Sequence, residues 1–162
     1  MDHLEAVIEP GALVLTDTSV VLAYLSGAEQ ASTVAAIVFD DFVAAGRNTA
    51  VISAVTVTET LVRPFQVGPS EVAIVEAFLG HFPGIRIIDV GFDIARAAAR
   101  LRAASSGPGR RPRLAVPDSI IVATALQEEA GVLVTNDTRW RSLLSELTPD
   151  LSVVYLEDYV TA

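Results

Sequence analysis

The chain of 162 residues contains neither cysteine nor lysine. Without cysteine there are no disulfides, no thiolate zinc sites and no cysteine nucleophile, although the redox compartment stays open. Without lysine there is no Walker-type phosphate loop and no Schiff-base chemistry. All eleven basic residues are arginines. Aromatic residues are scarce at 6%, so the core must be built mainly from Ala, Val, Leu and Ile. No apolar run approaches the roughly 18 residues that cross a bilayer, and Asp2, Glu5 and Glu9 stand where a signal peptide would be basic. The expectation is a cytoplasmic protein with no membrane association. Positive charge is short as well: 20 acidic residues give a net charge of −9, which argues against broad electrostatic binding to nucleic acid. Such a function would need local arginines or bound cations. The two histidines, His3 and His81, sit in contexts that suggest a surface or core role.

What is present is 51% hydrophobic, enough for one well-buried domain. Residues 1–12 read as an N-terminal leader and residues 13–160 as the domain, interrupted by a Gly/Pro/Arg loop at 105–114. Ala12–Leu15, Ala50–Ser53, Arg86–Val90, Val132–Thr135 and Val153–Leu156 are short apolar runs of strand type. Helical patterns fall between them, over Val20–Leu25, Ala31–Ala45, Val55–Arg63, Pro69–Phe82, Phe92–Ala104, Pro117–Ala130 and Arg139–Leu147. Pro64 is expected to stop the third of these, and Gly131 to cap the helix before it in the left-handed conformation. Strands that are continuous apolar runs, alternating with helices, indicate a parallel sheet covered on both faces. The fold class is α/β.

Four acids occupy positions with chemical potential. Asp17 directly follows the first strand and Asp137 the fourth; Asp118 lies in the first turn of a helix, and Glu59 within the helix after the second strand. In open parallel sheets, ligands bind outside the carboxyl ends of the strands, where the chain order reverses. All four acids can lie on that edge. Each also has a plainer explanation. Asp17, Asp118 and Asp137 could be helix N-caps, and Glu59 could pair with Arg63 one turn on. Glu59, however, has Val55 and Val62 on its own face, where a carboxylate needs a partner or a cation. Two unit charges 4 Å apart repel by about 4 kcal/mol at a surface-like dielectric. A converging cluster therefore requires a cation, shared protons or inserted basic groups. With oxygen ligands alone, Mg²⁺ or Mn²⁺ is favoured over zinc.

These motifs resemble those of PIN-domain nucleases. Leu15-Thr16-Asp17-Thr18-Ser19 is similar to the family's opening motif, and Ser53-Ala54-Val55-Thr56-Val57-Thr58-Glu59 to its second. Pro117-Asp118-Ser119-Ile120-Ile121 resembles the third, and Val134-Thr135-Asn136-Asp137 followed by Trp140 the fourth. The resemblance runs from about Leu13 to Tyr155 and implies a three-layer α/β/α domain around a parallel sheet of five strands. Small stand-alone PIN domains are commonly VapC-type toxins, so it further implies a Mg²⁺-dependent (or Mn²⁺-dependent) endoribonuclease with a cognate antitoxin. Carried across, Asp17, Asp118 and Asp137 would be metal ligands, with Glu59 completing the catalytic set directly or through water. Ser19 and Asn136 would hydrogen-bond to the carboxylates or to the scissile phosphate.

The chemistry implied is metal-assisted hydrolysis of a phosphodiester. Arg110, Arg111 and Arg113 are candidates for gripping RNA, or else belong to a solvated loop. The resemblance also suggests a homodimer, and an antitoxin whose apolar segment contacts the helices between Ala31 and Phe82; some of Val38, Phe42, Val75 and Phe78 are candidate contacts, although filling the core is the plainer role for most of them. Rival readings are a DNA nuclease with the same carboxylates, a binding-only scaffold, and a phospho-acceptor signalling module. The last normally uses a lysine, which this chain lacks.

Overall fold

The computed structural model describes residues 2–108 and 113–160, the side chains of residues 2 and 3 excepted. His3, Arg110 and Arg111 therefore lie outside what is described of the side chains. The elements run α1 (Asp2–Val7), β1 (Leu13–Thr16), α2 (Thr18–Ser26), α3 (Gln30–Ala36), β2 (Thr49–Ser53), α4 (Ala54–Val67), α5 (Pro69–His81) and β3 (Ile85–Ile88). There follow α6 (Phe92–Ser105), α7 (Val116–Gln127), β4 (Val132–Thr135), α8 (Arg141–Leu147) and β5 (Val153–Tyr155). All pairings are parallel, and the five strands stand in the order β3-β2-β1-β4-β5.

The apolar runs are explained by two-sided burial. Successive residues of a strand face opposite sides. Val14, Ile52, Val132 and Val134 pack on one side with α2, α3 and α5. Leu15, Val51, Leu133 and Tyr155 pack on the other with α7 and α8. The result is a three-layer α/β/α sandwich. β1 lies at its centre, with β2 on one side and β4 on the other, so the chain order reverses at the end of β1. Asp17 is the next residue.

Several local expectations need correcting. Pro64 does not end α4; it is buried inside the helix, which continues to Val67. Proline deletes one backbone hydrogen bond there, and the stronger stop comes at Gly68-Pro69. Gly68 has φ +154° and Pro69 opens α5. Gly131 is not the left-handed residue after α7: that is Glu129, with φ 51°. A side chain at Gly131 would instead meet Ala12, whose Cβ lies 3.1 Å from where its own would stand. The helix expected over Ala31–Ala45 changes to a π-helical winding from Ile37 to Ala44.

Within the stretch read as a leader, two apolar side chains are buried. Leu4 is 2% and Ile8 0% exposed. Arg47 donates to the carbonyls of Glu5 and Ile8, and Asn48 to those of Glu9 and Ala12. The candidate partner contacts Val38, Phe42, Val75 and Phe78 are all buried in the core. They fill the interior, the plainer of the two roles, and offer no free surface. His81 is exposed at the end of α5. Among the described residues, no single helix is long and apolar enough to cross a membrane.

Candidate active site

Asp17 sits at the N-cap of α2, yet its side chain makes no capping bond there. The carboxylate turns into the switch point instead and is only 4% exposed. Ser19 Oγ donates to its Oδ2 at 2.6 Å and Thr135 Oγ1, from the end of β4, donates to the same oxygen at 2.9 Å. Each hydroxyl has one proton, so each then serves as an acceptor. Ser19 Oγ takes the Asn136 N–H at 2.9 Å, and Thr135 Oγ1 takes the Asp137 N–H at 3.0 Å. The network thus stitches the ends of β1 and β4 together beneath Asp17. Burial pushes the Asp17 carboxyl up to about 6, the charge of Asp118 adds to the rise, and the Ser19 and Thr135 bonds hold it back.

The other acids reach this edge from three elements. Asp118, in the first turn of α7, accepts from the Ala115 N–H at 3.4 Å. Burial and the Asp137 charge raise its pKa, while bonding to Ala115 and Trp140 and the Arg139 charge lower it. Asp137 does act as a cap, accepting from the Arg139 N–H at 3.0 Å. The Arg139 side chain also grips it in a fork, Nε to Oδ1 at 2.8 Å and Nη2 to Oδ2 at 2.6 Å, which lowers its pKa. Glu59 is half-buried and its partner is Thr18, whose Oγ1 donates to Oε2 at 2.6 Å. Among the described residues, Arg63 makes no ion pair with it. Thr18 Oγ1 also lies 3.0 Å from Thr56 Oγ1, so α2 and α4 meet through this group.

A buried carboxyl near pKa 6 beside a second acid is short of positive charge. The PIN domain family matches residues 14–143, which carry all four acids. The chain belongs to the PIN-domain family. By sequence, no curated protein matches it.

Solved structures share the fold of this PIN domain. The VapBC2 complex of Rickettsia felis, bound to a DNA fragment from its promoter, gives a TM-score of 0.66 at 18% identity, over 88% of this chain and 98% of that one. FitAcB from Neisseria gonorrhoeae gives 0.65 at 21%, covering 89% and 98%. The sarcin-ricin loop-cleaving toxin VapC20 of Mycobacterium tuberculosis gives 0.62 at 14%, covering 80% and 93%.

Asp17 and Asp118 offer oxygen donors only, which suits a hard divalent cation, and the charge deficit at Asp17 fits the same group. Among the described residues, however, no three acidic or histidine side chains are gathered around one ion position. Asp137 is engaged by Arg139 and Glu59 by Thr18. Asn136 joins the network through its backbone, and its side chain borders a small cavity with Glu29 and Glu157. Arg113 is exposed on the far side of the Gly/Pro/Arg loop. That loop is pinned at its roots, where Arg102 donates to the Leu114 carbonyl and the Leu114 N–H donates to Ser105. Sequence reasoning assigned no role to Thr18, Thr135 or Arg139, each of which holds an acid. The signal for Arg139 was its place two residues after Asp137, where a fork can fold back on the carboxylate.

Proposed function

We propose that this PIN domain is a Mg²⁺- or Mn²⁺-dependent endoribonuclease and the toxin of a toxin–antitoxin pair, acting in the cytoplasm. The observation that carries the reading is Asp17: a buried, charge-deficient carboxylate beside Asp118 at the switch point of the sheet. Asp17 and Asp118 would hold the cation, with Asp137 and Glu59 completing its surroundings. A divalent ion held there would supply Lewis acidity toward water and the phosphodiester. Ser19 and Thr135 fix the Asp17 carboxylate in orientation, so it need not reorganise when substrate arrives. Thr18 does the same for Glu59. Arg110, Arg111 and Arg113 would contact the RNA backbone.

The toxin half of the reading rests on the shared fold with the VapBC complexes and on a groove. Leu22, Leu25, Glu59, Arg63 and Val67 help line a cavity of about 540 Å³ between α2, α4 and α5. Its largely apolar walls, with Glu59 among them, suit an amphipathic antitoxin segment whose basic residue would reach that carboxylate. That partner would use Leu22 and Val67, which are exposed, in place of the buried Val38 and Phe42. A homodimer belongs to the same reading, since Phe65 and Phe92 are left largely exposed and a second copy could cover them.

Co-expression with the neighbouring small open reading frame tests the pairing. The chain alone should arrest growth, and the pair should co-purify and permit it. Growth unaffected by the chain alone, with nothing co-purifying, contradicts the toxin reading.

A further inference from the structure

Positive charge is gathered in one stretch of this acidic chain. Residues 94–117 hold six of the eleven arginines and no acidic residue, while the rest carries five arginines against all 20 acids. The stretch covers most of α6, the Gly/Pro/Arg loop and the start of α7. Ile94, Ala98 and Leu101 turn inward, onto Ile120 and Ala123 of α7. The opposite face of α6 is left to Arg96 and Arg100, both exposed and one turn apart, about 6 Å along the axis. Arg102 is spent differently: it donates to the Leu114 carbonyl and holds the far root of the loop. Arg113, the residue before that root, is exposed. Among the described residues, none of Arg96, Arg100 and Arg113 has an ion pair or a side-chain hydrogen bond.

These guanidiniums are free for a partner of opposite charge, and their place in the fold says which. The Leu114 N–H donates to Ser105 Oγ at the end of α6, and the next N–H, that of Ala115, donates to Asp118. The arginine face of α6 therefore runs toward the loop root beside Asp118. Arg100 stands five residues and Arg96 nine before Ser105, about 8 and 14 Å along the helix. A cluster of carboxylates repels a polyanion at close range, so the attraction that brings one in has to come from outside the cluster. We propose that Arg96, Arg100 and Arg113 form a docking track for the phosphate backbone of single-stranded RNA, holding the part of the strand that flanks the bond to be cut. The proposal rests on the nuclease reading above for the identity of the polyanion and adds where the rest of the strand lies. A guanidinium forks two phosphate oxygens, and contacts of this kind fix position without reading bases. The track thus favours longer strands, whatever their sequence.

The test measures binding, in an Asp118→Asn background that keeps the RNA whole, after melting curves confirm folding. A labelled single-stranded RNA oligonucleotide is titrated across a salt series and followed by fluorescence anisotropy. Combining Arg96→Gln with Arg100→Gln should weaken binding roughly fivefold to tenfold, the scale of two exposed ion pairs. The slope of log Kd against log salt should fall by about 1.4, two phosphate contacts at about 0.7 each. Arg96→Lys with Arg100→Lys keeps both charges and should retain most of the affinity. Arg86→Gln is the charge control, since Arg86 lies on β3 and already faces Glu128 at 3.9 Å. An unchanged Kd or slope in the glutamine pair overturns the proposal. A loss from Arg86→Gln as large as that from Arg100→Gln overturns it too, because net charge alone would then be acting. Sedimentation of the same proteins examines the other occupant, a second copy of this acidic chain. If the glutamine pair splits a dimer while RNA binding holds, the face is a protein contact and the track is overturned. The nuclease reading fails separately. Wild-type chain that leaves RNA intact while the arginines still govern binding overturns that reading and supports the track; RNA cut by the wild-type chain, with binding indifferent to the arginines, does the reverse.

Discussion

Thr135 Oγ1 donates a 2.9 Å hydrogen bond to Asp17 Oδ2, joining residues 118 positions apart at the ends of adjacent strands. The bond favours the ionised carboxylate. Thr135→Val keeps the shape and removes the donor, so the Asp17 carboxyl should titrate above its present value of about 6. If ionised Asp17 is needed for cleavage, the acid limb of the pH profile of kcat/KM should move to higher pH. An acid limb that does not move means that Asp17 does not control the reaction.

Asp17→Asn should remove RNA cleavage while stabilising the fold near neutral pH. The native carboxyl is raised from 3.8 to about 6, so folding takes up protons between those values and stability falls as pH rises through that window. At roughly 1.4 kcal/mol per pH unit, the ionised group costs on the order of 3 kcal/mol above pH 6. The neutral amide avoids that cost, less whatever its altered bonds to Ser19 and Thr135 forfeit. Denaturant melts should show the gain at pH 7.5 and its disappearance below pH 4. A variant less stable than the parent at pH 7.5 would mean that Asp17 is adequately paired.

Mg²⁺ should raise the melting temperature. An ion at about 100 times its Kd adds about 2.7 kcal/mol, which for a domain of this size is roughly 5–10 °C. The increment should vanish in Asp118→Asn. A melting curve indifferent to millimolar Mg²⁺ would indicate that the acids serve as dispersed caps.

Leu4→Ala should destabilise the chain by about 2–5 kcal/mol, as for other buried leucines. The side chain is 2% exposed and sits in the main apolar cluster. A loss below 0.5 kcal/mol in urea melts would show that the N-terminal helix is dispensable to the fold.

The sheet was legible because its inner strands are buried on both faces and so leave continuous apolar runs, as in Val132–Thr135, whereas the edge strand β3 leaves Arg86 and Ile87 exposed. Asp17 was legible for a related reason: a lone charge after such a run must stand at a strand end. Pro64 misled because its local meaning, a helix stop, was overridden by tertiary burial. Gly131 misled because a glycine wanted for close approach to Ala12 looks the same in sequence as one wanted for a left-handed turn. The role of Thr135 was hidden because its partner is 118 positions away. That of Arg139 was hidden because an arginine two residues from an acid is common on surfaces.

The central claim is that these carboxylates cleave RNA with a bound divalent ion. The direct measurement incubates purified chain with 5′-labelled RNA and with DNA of the same sequence, with Mg²⁺ or excess chelator, beside Asp118→Asn. The account expects discrete RNA fragments from the wild-type chain with Mg²⁺, none with chelator, none from the variant, and intact DNA throughout. RNA left intact by the folded wild-type chain with Mg²⁺, or cut equally well by Asp118→Asn, contradicts it; cleavage of the DNA alone moves the same site to the other nucleic acid.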